Sequence, residues 1–129
     1  RYLALLYYVM GRFLYNKKVF RIADENLNTA YHLYVGYFEA FKAYPENLFN
    51  IILMLGYTNI KLGNQEIARK YILRLVEMTE EFLLPNEFNE IEVRKINNLF
   101  QKIRRILRKM GDNNLQVKIE EQLSDLLRM

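Results

Sequence analysis

Apolar residues recur along most of the chain at the three- and four-residue spacing of amphipathic helices. The stretch from 48 to 84 has this pattern on both sides of Gly63. This glycine lies in the segment Lys61-Leu62-Gly63-Asn64. Glycine adopts a positive φ without steric cost, so Gly63 is the expected end of a helix. Gly56 and Ala68 are small residues where two helices are expected to approach closely. The stretch therefore predicts two antiparallel helices joined at Gly63.

The same pattern occurs earlier in the chain, displaced by 45 residues. This displacement places Gly11 on Gly56 and Ala23 on Ala68, the small residues that a helix hairpin needs. The apolar residues that coincide are Leu3 with Leu48, Leu6 with Ile51, Met10 with Leu55, Ile22 with Ile67, and Leu27 with Ile72. The second helix of this earlier hairpin is predicted to be long and to end at Tyr44-Pro45, because proline disfavours helix in the residue before it.

The last third of the chain predicts a long helix from Asn86 to Met110, with Glu87 and Glu90 in its first turn, where carboxylates favour the helix dipole. Its apolar face is predicted to comprise Phe88, Ile91, Ile96, Leu99, Ile103, Ile106 and Met110. Gly111 ends this helix, and a final helix is predicted over 115–127. The apolar residues of the final helix are Leu115, Ile119, Leu123, Leu126 and Leu127.

Together these elements predict an all-α single domain of three antiparallel helix hairpins, over about residues 2–45, 47–84 and 86–128. Zero cysteines exclude disulfides and thiolate chemistry, and leave the compartment open between cytoplasm and bacterial periplasm. The chain starts at Arg1 without a leader, so we expect it to be part of a longer protein. The apolar run from 2 to 10 is too short for a transmembrane helix of about 20 residues.

Leu55-Gly56, Gly63 and Ala68 at these intervals resemble a tetratricopeptide repeat. Two residues depart from the family pattern. Lys18 stands where the second unit has Gly63, and Asn59 stands where the family usually has an aromatic residue. The resemblance implies a short right-handed solenoid of stacked hairpins, in which the first helix of each pair lines a concave groove.

Enzyme activity is not expected, nor is a cofactor or a metal. His32 is the only histidine, and the five glycines are too scattered to form a phosphate-binding loop. Adjacent acidic residues on a helix diverge by about 100°, so they do not form a paired carboxylate site. His32 is interpreted as an ordinary helix residue.

Aromatic and basic residues are unevenly distributed. The aromatic cluster Tyr31, Tyr34, Tyr37, Phe38, Phe41 and Tyr44 is interpreted as core, with a partner surface as the alternative. Seven basic residues lie on the helix before Gly111, namely Arg94, Lys95, Lys102, Arg104, Arg105, Arg108 and Lys109. They are interpreted as a solvated face that Glu120, Glu121 and Asp125 partly neutralise. The alternative is a nucleic-acid or anionic-surface binder that uses the helix 94–109.

The resemblance also implies which residues face the groove. From the first two hairpins these are Tyr8, Arg12, Tyr15, Asn16, Asn50, Leu53, Tyr57 and Lys61. By analogy the third hairpin supplies Asn98, Gln101, Arg105, Arg108 and Lys109. The apolar residues on the same helices are expected to point elsewhere. A basic and aromatic groove suits an acidic or amphipathic segment of a protein partner.

The expected function is therefore a non-catalytic protein interaction or assembly scaffold. Asn, Lys, Ile and Tyr usage suggests an AT-rich genome and a bacterial source, and similar bacterial domains often serve secretion or flagellar machines. The first helix is expected to leave an apolar face uncovered, comprising Tyr2, Leu3, Leu5, Leu6 and Val9. Uncovered, that face allows self-association through the N-terminal helix, and in a longer protein a preceding helix is expected to cover it.

Overall fold

The computed structural model describes residues 2–41, 46–83 and 89–127, with the side chains of 37–41, 83, 126 and 127 excepted. Regular structure in these residues is entirely helical, which confirms the all-α prediction. The helices are α1 (Tyr2–Asn16), α2 (Phe20–Phe41), α3 (Glu46–Lys61), α4 (Gln65–Leu83), α5 (Glu90–Met110) and α6 (Asn113–Leu127).

The α1–α2 and α3–α4 turns are built in the same way. In the first, the Lys18 amide donates to the Tyr15 carbonyl and the Val19 amide donates to the Leu14 carbonyl. The second turn has the same two bonds displaced by 45 residues, from Gly63 to Ile60 and from Asn64 to Asn59. Bonds of this kind satisfy backbone carbonyls that have no partner in the last turn of a helix. They form when the residue just after the helix adopts a left-handed backbone conformation.

The residues at these joints have the left-handed conformation that the sequence predicts for glycine. Gly63 has φ 79° and Gly111 has φ 70°, which confirms both as helix ends. Lys18 has φ 62° although it is not a glycine. The departure of Lys18 from the family pattern is therefore one of residue type, while its backbone conformation matches that of Gly63.

Small residues lie where the helices approach most closely, as predicted. A Cβ atom built on Gly11 would lie 2.7 Å from the Leu27 side chain on α2, and one built on Gly56 would lie 3.0 Å from Ile72 on α4. Ala68 is fully buried. Because Leu27 and Ile72 are themselves 45 residues apart, the two crossings are equivalent.

The helix α3 is central to the packing, since it contacts α1, α2, α4 and α5. One apolar cluster joins α1 and α2 to α3 through residues such as Leu27, Ile51 and Leu55. A second joins α3 to α4, α5 and α6 through residues such as Phe49 and Phe100. Since α1 contacts α3 and α3 contacts α5, these three helices form a row, and the candidate site lies along it.

Asn59 replaces the expected aromatic residue with a buried polar link. It is 1% exposed, and its Nδ2 donates to Asp24 Oδ1 on α2 at 2.9 Å and to the Leu55 carbonyl at 2.8 Å. Its Oδ1 accepts from Asn64 Nδ2 in the following turn, at 3.4 Å. A buried amide is tolerated because it has these partners, and it ties α2 to the end of α3.

The start of α5 differs from the prediction. The helix begins at Glu90, after an Asn89 cap whose side chain accepts from the Glu92 amide, while the Glu92 carboxylate accepts from the Asn89 amide. Glu90 lies in the first turn as predicted, whereas the predicted first residues 86–88, including Glu87 and Phe88, lie outside the described residues. This capping box fixes where the helix starts.

The apolar face of α5 is otherwise as predicted, except at Ile91. Ile91 is 64% exposed, so its assignment to the core is wrong. It precedes Ile96 by five residues, which places it about 140° around the helix from that residue. Phe100 and Leu107 are buried in addition to the predicted residues. In α6, Leu115, Ile119 and Leu123 are buried as predicted, and Leu126 and Leu127 lie outside the described side chains.

The apolar face of α1 is uncovered in this chain, as the sequence predicts. Tyr2, Leu3, Leu5, Leu6 and Val9 are all exposed, with Leu6 at 65%. The opposite side of α1, with Ala4, Tyr8 and Gly11, is buried. Among the described helices, none combines the length and apolarity needed to cross a membrane.

Candidate binding cleft

An open cleft of about 470 Å³ lies along the row formed by α1, α3 and α5. It is lined by Tyr8, Arg12, Tyr15 and Asn16 from α1, by Asn50, Leu53, Met54 and Tyr57 from α3, and by Lys102, Arg105, Ile106 and Lys109 from α5. Helical periodicity explains the selection, because the lining residues of each helix are mostly three or four positions apart. We refer to this surface as the cleft.

Most of the groove residues expected from the sequence lie in the cleft. These are Tyr8, Arg12, Tyr15, Asn16, Asn50, Leu53, Tyr57, Arg105 and Lys109. Lys61 and Arg108 do not line it, although Lys61 Nζ lies 5.4 Å from the centre of the Tyr57 ring. Asn98 lines a neighbouring recess of about 80 Å³ that shares Asn50 and Lys102 with the cleft, and Gln101 lines neither.

Three lining residues were missed, namely Met54, Lys102 and Ile106. The expectation that apolar residues of these helices point elsewhere is wrong for Met54 and Ile106. Met54 lies four residues after Asn50 and three before Tyr57, and Ile106 lies four residues after Lys102. Residues at these spacings share a helix face, so the periodicity alone contained the signal.

Aromatic rings form one side of the cleft. The Tyr15 and Tyr57 ring centres are 5.7 Å apart, and Phe20 lies 6.1 Å from Tyr15 and 6.2 Å from Tyr57, all in edge-to-face geometry. Both tyrosines are half-buried. Burial raises the pKa of Tyr15, and the nearby Tyr57 raises it further. A tyrosine hydroxyl with its ordinary pKa of about 10 is already neutral at physiological pH, so Tyr15 can donate a hydrogen bond.

Basic side chains lie over the aromatic rings of Tyr8 and Tyr57. The Arg12 guanidinium lies 5.2 Å from the centre of the Tyr8 ring, and Lys109 Nζ lies 5.3 Å from that of Tyr57. With Lys61, Tyr57 has two ammonium groups at cation–π distance. Such contacts contribute about 0.5–1 kcal/mol at exposed sites. They orient the cations without neutralising their charge.

The cleft is positively charged because its cations lack carboxylate partners in the described part of the chain. Arg12, Lys102, Arg105 and Lys109 line it, and no Asp or Glu does. The ion pairs found there use basic residues outside the cleft, in the pairs Arg69–Asp112, Arg74–Glu77, Arg74–Glu81, Lys95–Glu46 and Arg104–Glu120. Of the basic residues of α5, Lys95 and Arg104 therefore lie in ion pairs, Lys102, Arg105 and Lys109 line the cleft, and Arg94 and Arg108 are exposed elsewhere on the helix.

The Arg104–Glu120 pair, at 3.0 Å, bears out the expectation that α6 partly neutralises α5. The rest of the exposed α6 surface has a different character. Another concavity, of about 630 Å³, is lined by α6 alone, through Asn113, Gln116, Val117, Glu120, Glu121, Ser124 and Asp125. Side chains from a single helix face do not converge on a ligand, so this surface is not a candidate site.

Other residues singled out in the sequence lie away from the cleft. His32 is exposed on α2, with its ring 5.3 Å from that of Tyr31. Tyr31 and Tyr34 are half-buried and pack against the apolar clusters, which agrees with their interpretation as core. Tyr37, Phe38, Phe41 and Tyr44 lie outside the described side chains.

The architecture and the cleft were compared with known proteins at the level of family models, curated sequences and solved structures. None of the three comparisons finds a match for this chain.

Proposed function

We propose that this chain is a non-catalytic protein-binding module, built as a short tetratricopeptide-like solenoid of three hairpins, whose cleft receives an acidic segment of a partner protein. The repeat is supported by the equivalent turns at Lys18 and Gly63, and by the equivalent crossings at Gly11 and Gly56. The row of α1, α3 and α5 corresponds to the first helices of the three hairpins.

The observation that carries the proposal is the convergence on one cleft of four cations that have no carboxylate partner among the described residues. Outside the cleft, Arg69, Arg74, Lys95 and Arg104 each have a carboxylate partner. The four cleft cations have none among the described residues, so the cleft is a site of uncompensated positive potential. Carboxylates of a partner segment would complete these pairs, and charge complementarity of this kind accelerates association and selects partners.

The apolar and aromatic lining favours a protein segment over a simple anion. Met54 is half-buried and offers a contact to apolar side chains, with the buried Leu53 and Ile106 behind it, and Tyr15 and Tyr57 are half-buried aromatic anchors. Aromatic residues and Arg are the types that most often dominate protein interfaces. The volume of about 470 Å³ is within the roughly 300–1,000 Å³ range of ligand-binding pockets.

A labelled peptide library, in which Glu, Asp and apolar positions are varied, provides the test. The retained peptide is titrated by fluorescence anisotropy against wild type, Arg105→Glu and Arg94→Glu. Arg94 is a matched control because it is exposed on the same helix but does not line the cleft. We expect Arg105→Glu to weaken binding at least about tenfold, which is about 1.4 kcal/mol. Equal weakening by both variants would contradict the proposal.

The competing function is a nucleic-acid or anionic-surface binder. Lys102, Arg105 and Lys109 favour it, since they lie on one face of α5 without carboxylate partners in the described residues. A salt titration with single-stranded DNA and with the selected peptide separates the two. Binding to phosphates weakens with a logarithmic slope of about −0.7 per phosphate contacted on a single strand. Tight, steeply salt-dependent DNA binding with no retained peptide would establish the competitor.

A further inference from the structure

The exposed face of α1 has the spacing of a helix-pairing seam. Leu3, Leu6, Met10 and Phe13 follow one another at intervals of three, four and three residues, which is the a and d pattern of a coiled coil. Their exposed fractions are 54%, 65%, 52% and 56%. Residues in this pattern normally insert into a facing helix, and here they contact solvent.

The equivalent residues of α3 show what this stripe does when it is covered. Displaced by 45 residues, the stripe becomes Leu48, Ile51, Leu55 and Thr58, all at most 1% exposed. They are buried because α1, α2, α4 and α5 surround α3. The stripe on α1 is therefore the same helix face without a covering helix.

The uncovered face is large and uncharged. Exposed apolar residues on α1 are Tyr2, Leu3, Leu5, Leu6, Val9, Met10 and Phe13. Together they expose on the order of 800 Å², above the roughly 300–600 Å² of the largest patch on a typical monomer. A second copy that covered most of this face would bury an area near the low end of specific interfaces, about 1,200 Å² over both partners. No charged residue lies between 2 and 11, so two copies of the face can meet without burying like charges.

The outer face of α6 is unsuited to cover this stripe. Glu120, Glu121 and Asp125 lie on it together with Gln116 and Val117. Packing α1 of one molecule against that face of the next would bury the exposed Glu121 carboxylate against apolar side chains, which is costly. A head-to-tail chain of copies is therefore disfavoured, and the remaining self-complementary arrangement is isologous.

We infer that this chain forms a two-fold symmetric dimer in which α1 of one copy packs against α1 of the other. The stripe centred on Leu6 and Met10 forms the seam. The cleft residues Tyr8, Arg12 and Tyr15 lie on the other side of α1, about 150° around the helix from the stripe. Both clefts therefore stay open in the dimer, and a partner with two acidic segments would gain avidity from it.

Sedimentation velocity over a series of protein concentrations tests the dimer. The variants are Leu6→Lys, the double variant Leu6→Lys with Met10→Lys, and the control Val117→Lys on α6, where Val117 is 59% exposed. We expect wild type and Val117→Lys to dimerise alike. We expect Leu6→Lys to raise the dissociation constant at least about tenfold and the double variant to be monomeric. All three substitute exposed residues, so circular dichroism should show unchanged helicity and melting temperature.

Several outcomes would overturn this inference. A wild-type protein that stays monomeric up to about 1 mM has no specific self-contact of useful strength. Species that grow beyond a dimer with concentration indicate a head-to-tail contact, and equal effects of Leu6→Lys and Val117→Lys place the interface elsewhere. Raising the salt concentration should leave the dimer intact, which separates it from any association through the basic cleft.

Discussion

Lys18 and Gly63 occupy equivalent positions in two turns and share the left-handed backbone conformation, with φ 62° and 79°. For a residue with a Cβ atom this conformation costs roughly 1–2 kcal/mol, whereas glycine adopts it without steric strain. The α1–α2 turn therefore contains strain that the α3–α4 turn does not. The hydrogen bonds of the turn, from Lys18 to Tyr15 and from Val19 to Leu14, hold Lys18 in this conformation.

Lys18→Gly should accordingly stabilise the protein, by about 1 kcal/mol after the greater freedom of glycine in the unfolded chain is subtracted. Urea denaturation followed by circular dichroism measures this change. Lys18→Ala is the control, because it removes the charge and keeps the Cβ atom, and it should not stabilise. The reverse substitution, Gly63→Ala, should destabilise by about 1 kcal/mol or more. A stabilisation by Lys18→Ala equal to that of Lys18→Gly would assign the effect to charge.

A second prediction compares three Gly→Ala substitutions in helices. At Gly11 the added Cβ would lie 2.7 Å from the Leu27 side chain and 3.1 Å from its backbone nitrogen, so the helices must move apart. At Gly56 the nearest atom is the flexible Ile72 Cδ1, at 3.0 Å. At Gly36 no atom of the described residues beyond its own helix backbone lies within 4 Å.

Gly11→Ala should therefore destabilise most, by about 1–3 kcal/mol. Gly56→Ala should cost less, and Gly36→Ala should stabilise by up to about 1 kcal/mol because alanine has the higher helix propensity. Thermal unfolding of the three variants in parallel gives the order. If Gly11→Ala and Gly36→Ala shift the melting temperature alike, the close approach of α1 and α2 at Gly11 is wrong.

Most helices could be predicted because their signal is local. Periodicity located α1 to α6, and Gly63 and Gly111 located two of the joints. The strained turn at Lys18 was not predictable as such, since its conformation is imposed by the packing of α1 on α2 and lysine carries no signature for it. Ile91 was assigned to the core on its apolar character, but its position about 140° around the helix from Ile96 places it on the exposed side.

The cleft was partly predictable for a different reason. Periodicity alone places Tyr57 and Arg105 on faces of their helices, but it does not say that α1, α3 and α5 lie side by side. That juxtaposition came from the resemblance to a repeat family, because the placement of residues as distant in sequence as Arg12 and Lys109 in one cleft has no local signal. The Lys95–Glu46 ion pair was likewise visible only in three dimensions, whereas partial neutralisation of α5 by Glu120 was expected from the sequence.

A third prediction concerns a buried hydroxyl. Thr58 is fully buried, and its Oγ1 has no hydrogen-bond partner among the described residues. Thr79 is equally buried, but its Oγ1 donates to the Leu75 carbonyl at 2.7 Å. Substituting Thr58 and Thr79 in parallel therefore compares two effects on the free energy of unfolding: removal of a buried hydroxyl that has no partner, and removal of one that has a hydrogen bond.

Thr58→Val should be neutral or should stabilise by about 1 kcal/mol, since valine has the same shape and no polar group to desolvate. Thr79→Val should destabilise by about 1 kcal/mol, because a buried hydrogen bond is lost. Both are measured by chemical denaturation at constant m-value. Destabilisation by Thr58→Val similar to that by Thr79→Val would mean that the Thr58 hydroxyl has a partner.

The last prediction separates binding from stability in the cleft. Arg12 lines the cleft, whereas Lys61 lies beside it with its Nζ over the Tyr57 ring. Arg12→Glu should therefore weaken binding of the acidic peptide more than Lys61→Glu does. Both residues are exposed, so each reversal should change the free energy of unfolding by under about 0.5 kcal/mol.

The tyrosines behave differently, because Tyr15 and Tyr57 are half-buried and pack on one another. Tyr57→Ala removes packing and a binding surface together, and should cost about 2 kcal/mol of stability, less than truncation of a fully buried ring. Tyr57→Phe keeps the ring that Lys61 and Lys109 contact, so it should retain stability and most affinity. Peptide affinity measured on variants that remain folded shows whether these residues contribute to binding or only to stability. Unchanged peptide affinity in folded Arg12→Glu would move the binding surface away from the cleft, and the exposed part of α2 would be the next region to test.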